Sequence, residues 1–90
     1  MLKVERVKLI ERLAEAEVKI LMRLTNGERV LTDLSELRIG YGTIYRALGN
    51  LKEMGLIKER AQGVKRLLSL TEKGEHVAKV LKELDEFLSK

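Results

Sequence analysis

The 90-residue chain predicts a small, mostly helical α+β fold in one domain, and three observations carry that class. Apolar residues recur at three- and four-residue spacing over most of the length, the period of helices that bury one side. Residues 57–68 instead form two short basic runs joined by a Gly-containing connection, the pattern of a hairpin. No proline, linker or repeat divides the chain, so residues 1–90 read as a single domain.

Each element follows in order. From Leu2 to Leu24, one apolar stripe (Val7, Ile10, Leu13) is followed by a second (Val18, Leu21, Leu24). The five-residue step from Leu13 to Val18 predicts either one long helix with a drifting face or two helices bent near Ala14. Asn26-Gly27 supplies the stop, because both residues tolerate the left-handed backbone that ends helices. Glu28–Leu31 reads as a strand fragment or a loop. Thr32 or Asp33 can cap a short helix through Leu37, and Asp33 with Glu36 has capping-box spacing. Gly40 and Gly42 mark a tight turn. Residues 43–54 give the clearest helix, with Ile44, Ala47, Leu48 and Leu51 on one face and Gly55 as the stop. Leu56–Arg60 and Lys65–Leu70 read as strands joined by Ala61–Val64, and Thr71 caps a last helix to about Leu88.

Composition removes most chemistry. Cysteine is absent and His76 is the sole histidine, which leaves no disulfide, thiolate nucleophile or Cys/His metal site. Ser35, Ser69 and Ser89 have no local His to activate them, and Gly40-x-Gly42 lacks the Lys of a phosphate-binding loop. The chain is expected to be no enzyme, to need no cofactor, and to be cytoplasmic, with no leader or membrane segment. Tyr41, Tyr45 and Phe87 are too few for a single-strand stacking platform. Abundant Lys, Arg and Glu with one Gln and two Asn is a composition commoner in thermophiles.

Charge is unevenly spread. Residues 38–70 carry seven basic and two acidic side chains, a net +5, whereas the whole chain carries +4. A basic segment between near-neutral flanks points to a polyanion partner. Helix, tight turn, amphipathic helix and basic hairpin together are the plan of a winged helix-turn-helix, in which the second helix enters the major groove of double-stranded DNA. At ~100° per residue, the face opposite Ile44, Ala47, Leu48 and Leu51 carries Gly42, Arg46, Gly49, Asn50 and Glu53, bordered by Thr43 and Tyr45. Arg46 can bridge guanine and Asn50 adenine. A mid-helix Gly49 costs ~1 kcal/mol, which a close approach to a groove wall would explain. Lys58, Arg60, Lys65 and Arg66 on the 57–68 hairpin suit phosphate or minor-groove contact.

The series Gly42-Thr43-Ile44-Tyr45-Arg46-Ala47-Leu48, then Leu51, then Gly55-Leu56-Ile57, then Leu70-Thr71-Glu72-Lys73-Gly74 resembles the winged-helix region of PadR-type and related MarR-type transcription regulators, over roughly residues 15–76. The resemblance implies that Thr43, Tyr45 and Arg46 lie in the DNA-reading helix, and Tyr41 just before it is a further expected DNA contact. It also implies that Leu70–Gly74 leaves the wing for a C-terminal helix. An archaeal or thermophilic source is expected. The chain departs from the MarR pattern at the wing tip, where Gln62-Gly63-Val64 replaces an Asp-Arg-Arg-like cluster. About eighteen residues follow Thr71, too few for a roomy effector pocket, so no small-molecule effector is expected.

Residues 1–13 and 72–90 add apolar stripes wider than one neighbour can cover: Val4, Val7 and Ile10, and Val77, Val80, Leu81, Leu84, Phe87 and Leu88. These are the expected dimerisation residues of a C₂ homodimer reading a palindrome. The expected function is a sequence-specific, nucleoid-associated transcription regulator that represses by occupying its site. An architectural DNA binder of low specificity and a winged helix serving as a protein-interaction module are the competing readings.

Overall fold

The computed structural model describes residues 8–90, so Val4 and Val7 lie outside the described residues. The elements run α1 (Lys8–Glu11), α2 (Glu15–Leu24), β1 (Arg29–Val30), a 3-10 helix (Leu31–Leu37), α3 (Tyr41–Glu53), β2 (Ile57–Gln62), β3 (Lys65–Leu70) and α4 (Glu72–Leu88). The two-helix reading of the N-terminal segment is the one realised. Arg12 and Leu13 donate their N–H groups to Leu9 and Ile10 carbonyls at 3.2 and 2.9 Å, and extended Ala14 then starts α2. Gly27, at φ +116°, ends α2 by donating to the Leu24 carbonyl at 3.1 Å.

Four expectations are corrected. The segment 31–37 winds as a 3-10 helix that starts at Leu31 after extended Val30, with no capping bond from Thr32 or Asp33. The turn before α3 places Arg38, not Gly40 or Gly42, in the left-handed region (φ 57°). Gly40 instead sits at the start of α3, which opens at Tyr41 and so takes in Tyr41 and Gly42. The hairpin connection shrinks to Gly63-Val64, with Gly63 at φ +62°, because a glycine with positive φ at the first loop position lets two residues close the turn. Finally, the wing belongs to a three-stranded antiparallel sheet in the order β1-β3-β2, since Arg29 and Val30 pair with Leu68 and Leu67.

The core lies between the helices and one face of this sheet. Ile20, Leu21, Leu34, Ile44, Leu51, Leu56 and Leu68 are almost wholly buried, which places the amphipathic stripes of α2 and α3 against each other as their periodicity requires. Burying such a side chain contributes roughly 1.5–3 kcal/mol each. α4 is fastened at its first turn. Thr71 Oγ1 accepts from Gly74 N–H at 3.0 Å and donates to the Gly55 carbonyl at 2.5 Å, and Lys73 Nζ donates to the Met54 carbonyl at 3.0 Å. Gly74 lies so close to Leu56 that a Cβ there would sit 1.9 Å from its carbonyl oxygen. The Thr-Glu-Lys-Gly run is therefore a docking joint between α4 and the α3–β2 corner. Beyond Leu81 the helix leaves the core, and every residue from Lys82 to Lys90 is exposed. No described helix is long and apolar enough to cross a membrane.

Candidate nucleic-acid interface

α3 presents its outward face beside the hairpin. Gly42 and Gly49 have open space where a side chain would stand, so the middle of that face is a shallow trough. Arg46 and Thr43 flank it on the α2 side, exposed. Tyr41 and Tyr45 flank it on the wing side, 55% and 51% exposed with ring centroids 6.4 Å apart. Among the described residues no neighbour approaches Gly49, so their packing gives no reason for a glycine there. An exposed helix face with a trough, a guanidinium and two phenols has the shape and donors for a groove of B-DNA.

Asn50 is placed differently from the expectation of a base-reading side chain. It is half-buried: Nδ2 donates to Glu17 Oε2 at 2.9 Å and Oδ1 accepts from Arg12 at 3.1 Å. Arg12 also donates to Glu53 at 2.5 Å. Glu17 is itself buried, and this set ties the α1–α2 corner to the C-terminal end of α3. A buried carboxylate needs such a donor, so both ends of the Asn50 amide are engaged within the protein.

The wing cations divide into two groups. Arg60 makes a two-point ion pair with Glu28, with Nε and NH2 each 2.9 Å from a carboxylate oxygen. That contact lowers the pKa of Glu28 and raises that of Arg60. Arg66 and Lys52 bind the two oxygens of Glu59 separately. Hydrogen bonds from Arg66 and then Lys52 hold the Glu59 carboxyl at about 2, well below its ordinary 4.5. The same bond raises the pKa of Arg66, with the Tyr45 phenol a smaller influence. Lys58 and Lys65, with Arg38 and Arg46, are exposed and bridge no acid among the described residues.

Sequence reasoning therefore missed Arg12, Glu17, Lys52 and Glu59. Only Lys52 and Glu59 left a signal, as one of the seven cations and one of the two acids of the basic segment.

The terminal stripes split in the same manner. Val77 and Leu81 are half-buried against the core, so they pack within the monomer. Ile10 (66% exposed), Val80, Leu84, Phe87 (70%) and Leu88 are open. With Leu9, Leu13 and Met54, several of them line an apolar groove of about 570 Å³ between α1 and α4.

Among solved structures, the chain is similar to a mutant of ZitR from Lactococcus lactis, with 30% identity and a TM-score of 0.76, covering 86% of this chain and 56% of that one. It is also similar to a SlyA-like transcription regulator from Listeria monocytogenes (25% identity, TM-score 0.78, 96% of this chain and 61% of that one). The transcriptional repressor BigR from Xylella fastidiosa shares the fold (24% identity, TM-score 0.76, 96% and 88%). The chain thus spans little more than half of the ZitR chain that it matches. No family model and no curated protein matches it. The structure is a winged helix-turn-helix whose neighbours are transcription regulators, not enzymes, in keeping with the MarR-type resemblance. They lend no support to an archaeal source.

Proposed function

We propose that this chain is a sequence-specific regulator that binds double-stranded DNA as a homodimer, with α3 in the major groove and the β2–β3 wing on the backbone or in the minor groove. The observation that carries the reading is the outward face of α3. It is exposed, floored by Gly42 and Gly49, and edged by Arg46, Thr43, Tyr41 and Tyr45, beside a hairpin rich in cations. In this reading Arg46 and Thr43 read bases, Tyr41 and Tyr45 contact bases or phosphates, and Lys58 and Lys65 hold phosphates. Asn50 becomes the strut that holds α3 to α2 rather than a base reader. Arg60 and Arg66 reach phosphate by exchanging their carboxylate partners.

The second copy covers the α1–α4 groove and the end of α4 beyond it, because Ile10, Val80 and Leu84 in the groove and Phe87 and Leu88 past it are left open by the described residues. A two-fold pair places two α3 helices about one DNA turn (~34 Å) apart on a palindrome, and occupying a promoter in this way represses without further parts. The reading requires no small-molecule effector. ZitR, BigR and the SlyA-like protein support regulation in general.

Fluorescence anisotropy with a selection-enriched duplex and a mixed-sequence duplex tests this. The enriched duplex is expected to bind ~10³-fold tighter or better, with Arg46→Ala removing most of that gap. Equal binding of both duplexes would turn the reading into an architectural one, and absence of binding at low salt would point to a protein partner.

A further inference from the structure

We propose that Glu59 is a built-in stand-in for a DNA phosphate: in the free protein its carboxylate occupies a cationic seat between α3 and the wing, and a backbone phosphodiester takes that seat on binding. The proposal rests on the DNA-binding reading above and assigns the wing root a role within it. The seat is a cleft of about 470 Å³ whose charged lining is Lys52, Lys58, Arg60 and Arg66 around the single acid Glu59. Its two inner cations come from different elements. Lys52 sits in the last turn of α3, and Arg66 lies on β3 diagonally across the ladder from Glu59, which pairs with Leu68.

The manner of binding carries the argument. Lys52 takes Oε1 and Arg66 takes Oε2, so each oxygen of one monoanionic group receives its own cation. A phosphodiester also carries a single negative charge over two free oxygens, and guanidinium and ammonium groups bind both anions by charge-assisted hydrogen bonds. Lys52 stands two turns along α3 from Tyr45, on the same border of the outward face, and Arg66 is near enough to feel the Tyr45 phenol, so a backbone phosphate would run beside this cleft if α3 enters the groove. Lys58 and Arg60 at its rim supply further cations. A carboxylate in this seat withholds Lys52 and Arg66 from any polyanion that does not displace it. It therefore holds affinity for DNA in general down and flattens its salt dependence.

A purely structural tie between α3 and the wing predicts the opposite sign, because cutting it would loosen the wing and weaken binding. Glu59→Gln, with Glu59→Asp beside it, separates the two in an anisotropy salt series on the mixed-sequence and enriched duplexes. Each released cation that gains a phosphate steepens the slope of log K against log salt by ~0.9, about eightfold tighter binding at ~0.1 M salt. Glu59→Gln is expected to tighten both duplexes alike by at least that factor, and Glu59→Asp to stay near wild type. Unchanged or weaker binding by a folded Glu59→Gln, with an unchanged slope, overturns the proposal while wild-type binding leaves the DNA reading intact. Failure of wild type and variant alike to bind at low salt overturns the DNA reading, and this proposal with it. If Glu59→Gln does not fold by circular dichroism, heteronuclear NMR of the wild type answers the same question. The Arg66 Nε resonance is expected to move when a short duplex is added, and a resonance that stays in place while backbone signals of α3 shift overturns the proposal.

Discussion

Two glycines in helices are expected to respond to the same substitution with opposite sign. At Gly74, an alanine Cβ would stand 1.9 Å from the Leu56 carbonyl oxygen, 2.8 Å from its carbon and 3.2 Å from its Cα, where ordinary contact begins near 3.4 Å. These are backbone atoms that no rotamer change can clear, so the first turn of α4 must retreat by about 1.5 Å. That movement strains the joint made by the Thr71 N–H on the Leu56 carbonyl (3.0 Å) and Lys73 Nζ on the Met54 carbonyl (3.0 Å). Overpacking of this kind costs ~1–3 kcal/mol and each weakened hydrogen bond about 1, against a gain in helix propensity of at most ~1. Gly74→Ala should therefore destabilise by about 3 kcal/mol. At Gly49 nothing among the described residues lies within 4 Å, and the same change should stabilise by up to ~1 kcal/mol through propensity alone. Urea titration followed by circular dichroism measures both. In a domain of this size the melting temperature should fall by roughly 12–24 °C for Gly74→Ala and rise by a few degrees for Gly49→Ala. A Gly74→Ala protein within 1 kcal/mol of wild type, or a Gly49→Ala protein less stable than it, would refute the reasoning. Gly49→Ala should also weaken duplex binding, because its methyl group fills the trough of α3.

Three further outcomes follow from the ion pairs and the open apolar face. The folded-state value of Glu59, about 2, lies below its ordinary 4.5, so its contribution is complete above pH ~4.5 and disappears as the pH falls toward 2. That contribution is at most about 3 kcal/mol, roughly halved by the exposure of Lys52 and Arg66; acid titration of wild type and Glu59→Gln checks it, and parallel curves between pH ~5 and 2 would refute it. Asn50→Ala strips the buried Glu17 carboxylate of its amide donor and should cost ~2–3 kcal/mol in urea. Adding Glu17→Gln should recover part of the loss, and purely additive effects would show that the pair is not coupled. Leu84→Asp, at a site already half-exposed, should leave the monomer's melting unchanged while abolishing a dimer in analytical ultracentrifugation, and a persisting dimer would place the interface elsewhere.

The helices were legible because their cause is periodic. Ile44, Ala47, Leu48 and Leu51 bury one face of α3 as spaced, and Gly27, Gly55 and Thr71 stop or start helices through local backbone chemistry. Local signals misled where two residues competed for one role. Arg38 took the left-handed position that two nearby glycines advertised, because the turn comes directly after the 3-10 helix, and its N–H closes on Ser35 at 3.1 Å. The site was legible as a face but not as a set of partners. Asn50 and Glu17 stand 33 positions apart, and Arg12 reaches Glu53 across 41. Such pairs exist only once α2 and α3 have packed, and no spacing rule along one element can show them.

The charge of the middle segment shows what that omission means for function. Read as a string, residues 38–70 offer seven cations to a polyanion. Folded, three of them already hold carboxylates: Lys52 and Arg66 share Glu59, and Arg60 grips Glu28, which lies outside the segment altogether. Arg38, Arg46, Lys58 and Lys65 bridge no acid among the described residues, and Arg46 alone of these four stands on α3, at the edge of its glycine trough. A binder relying on charge alone would gain from leaving all seven cations open, since each phosphate contact adds to affinity on any sequence. Sequestering three of them lowers that indiscriminate contribution without touching the face of α3. Discrimination between sequences then falls more heavily on Arg46 and its neighbours on that helix, as a site-specific regulator needs and an architectural binder does not.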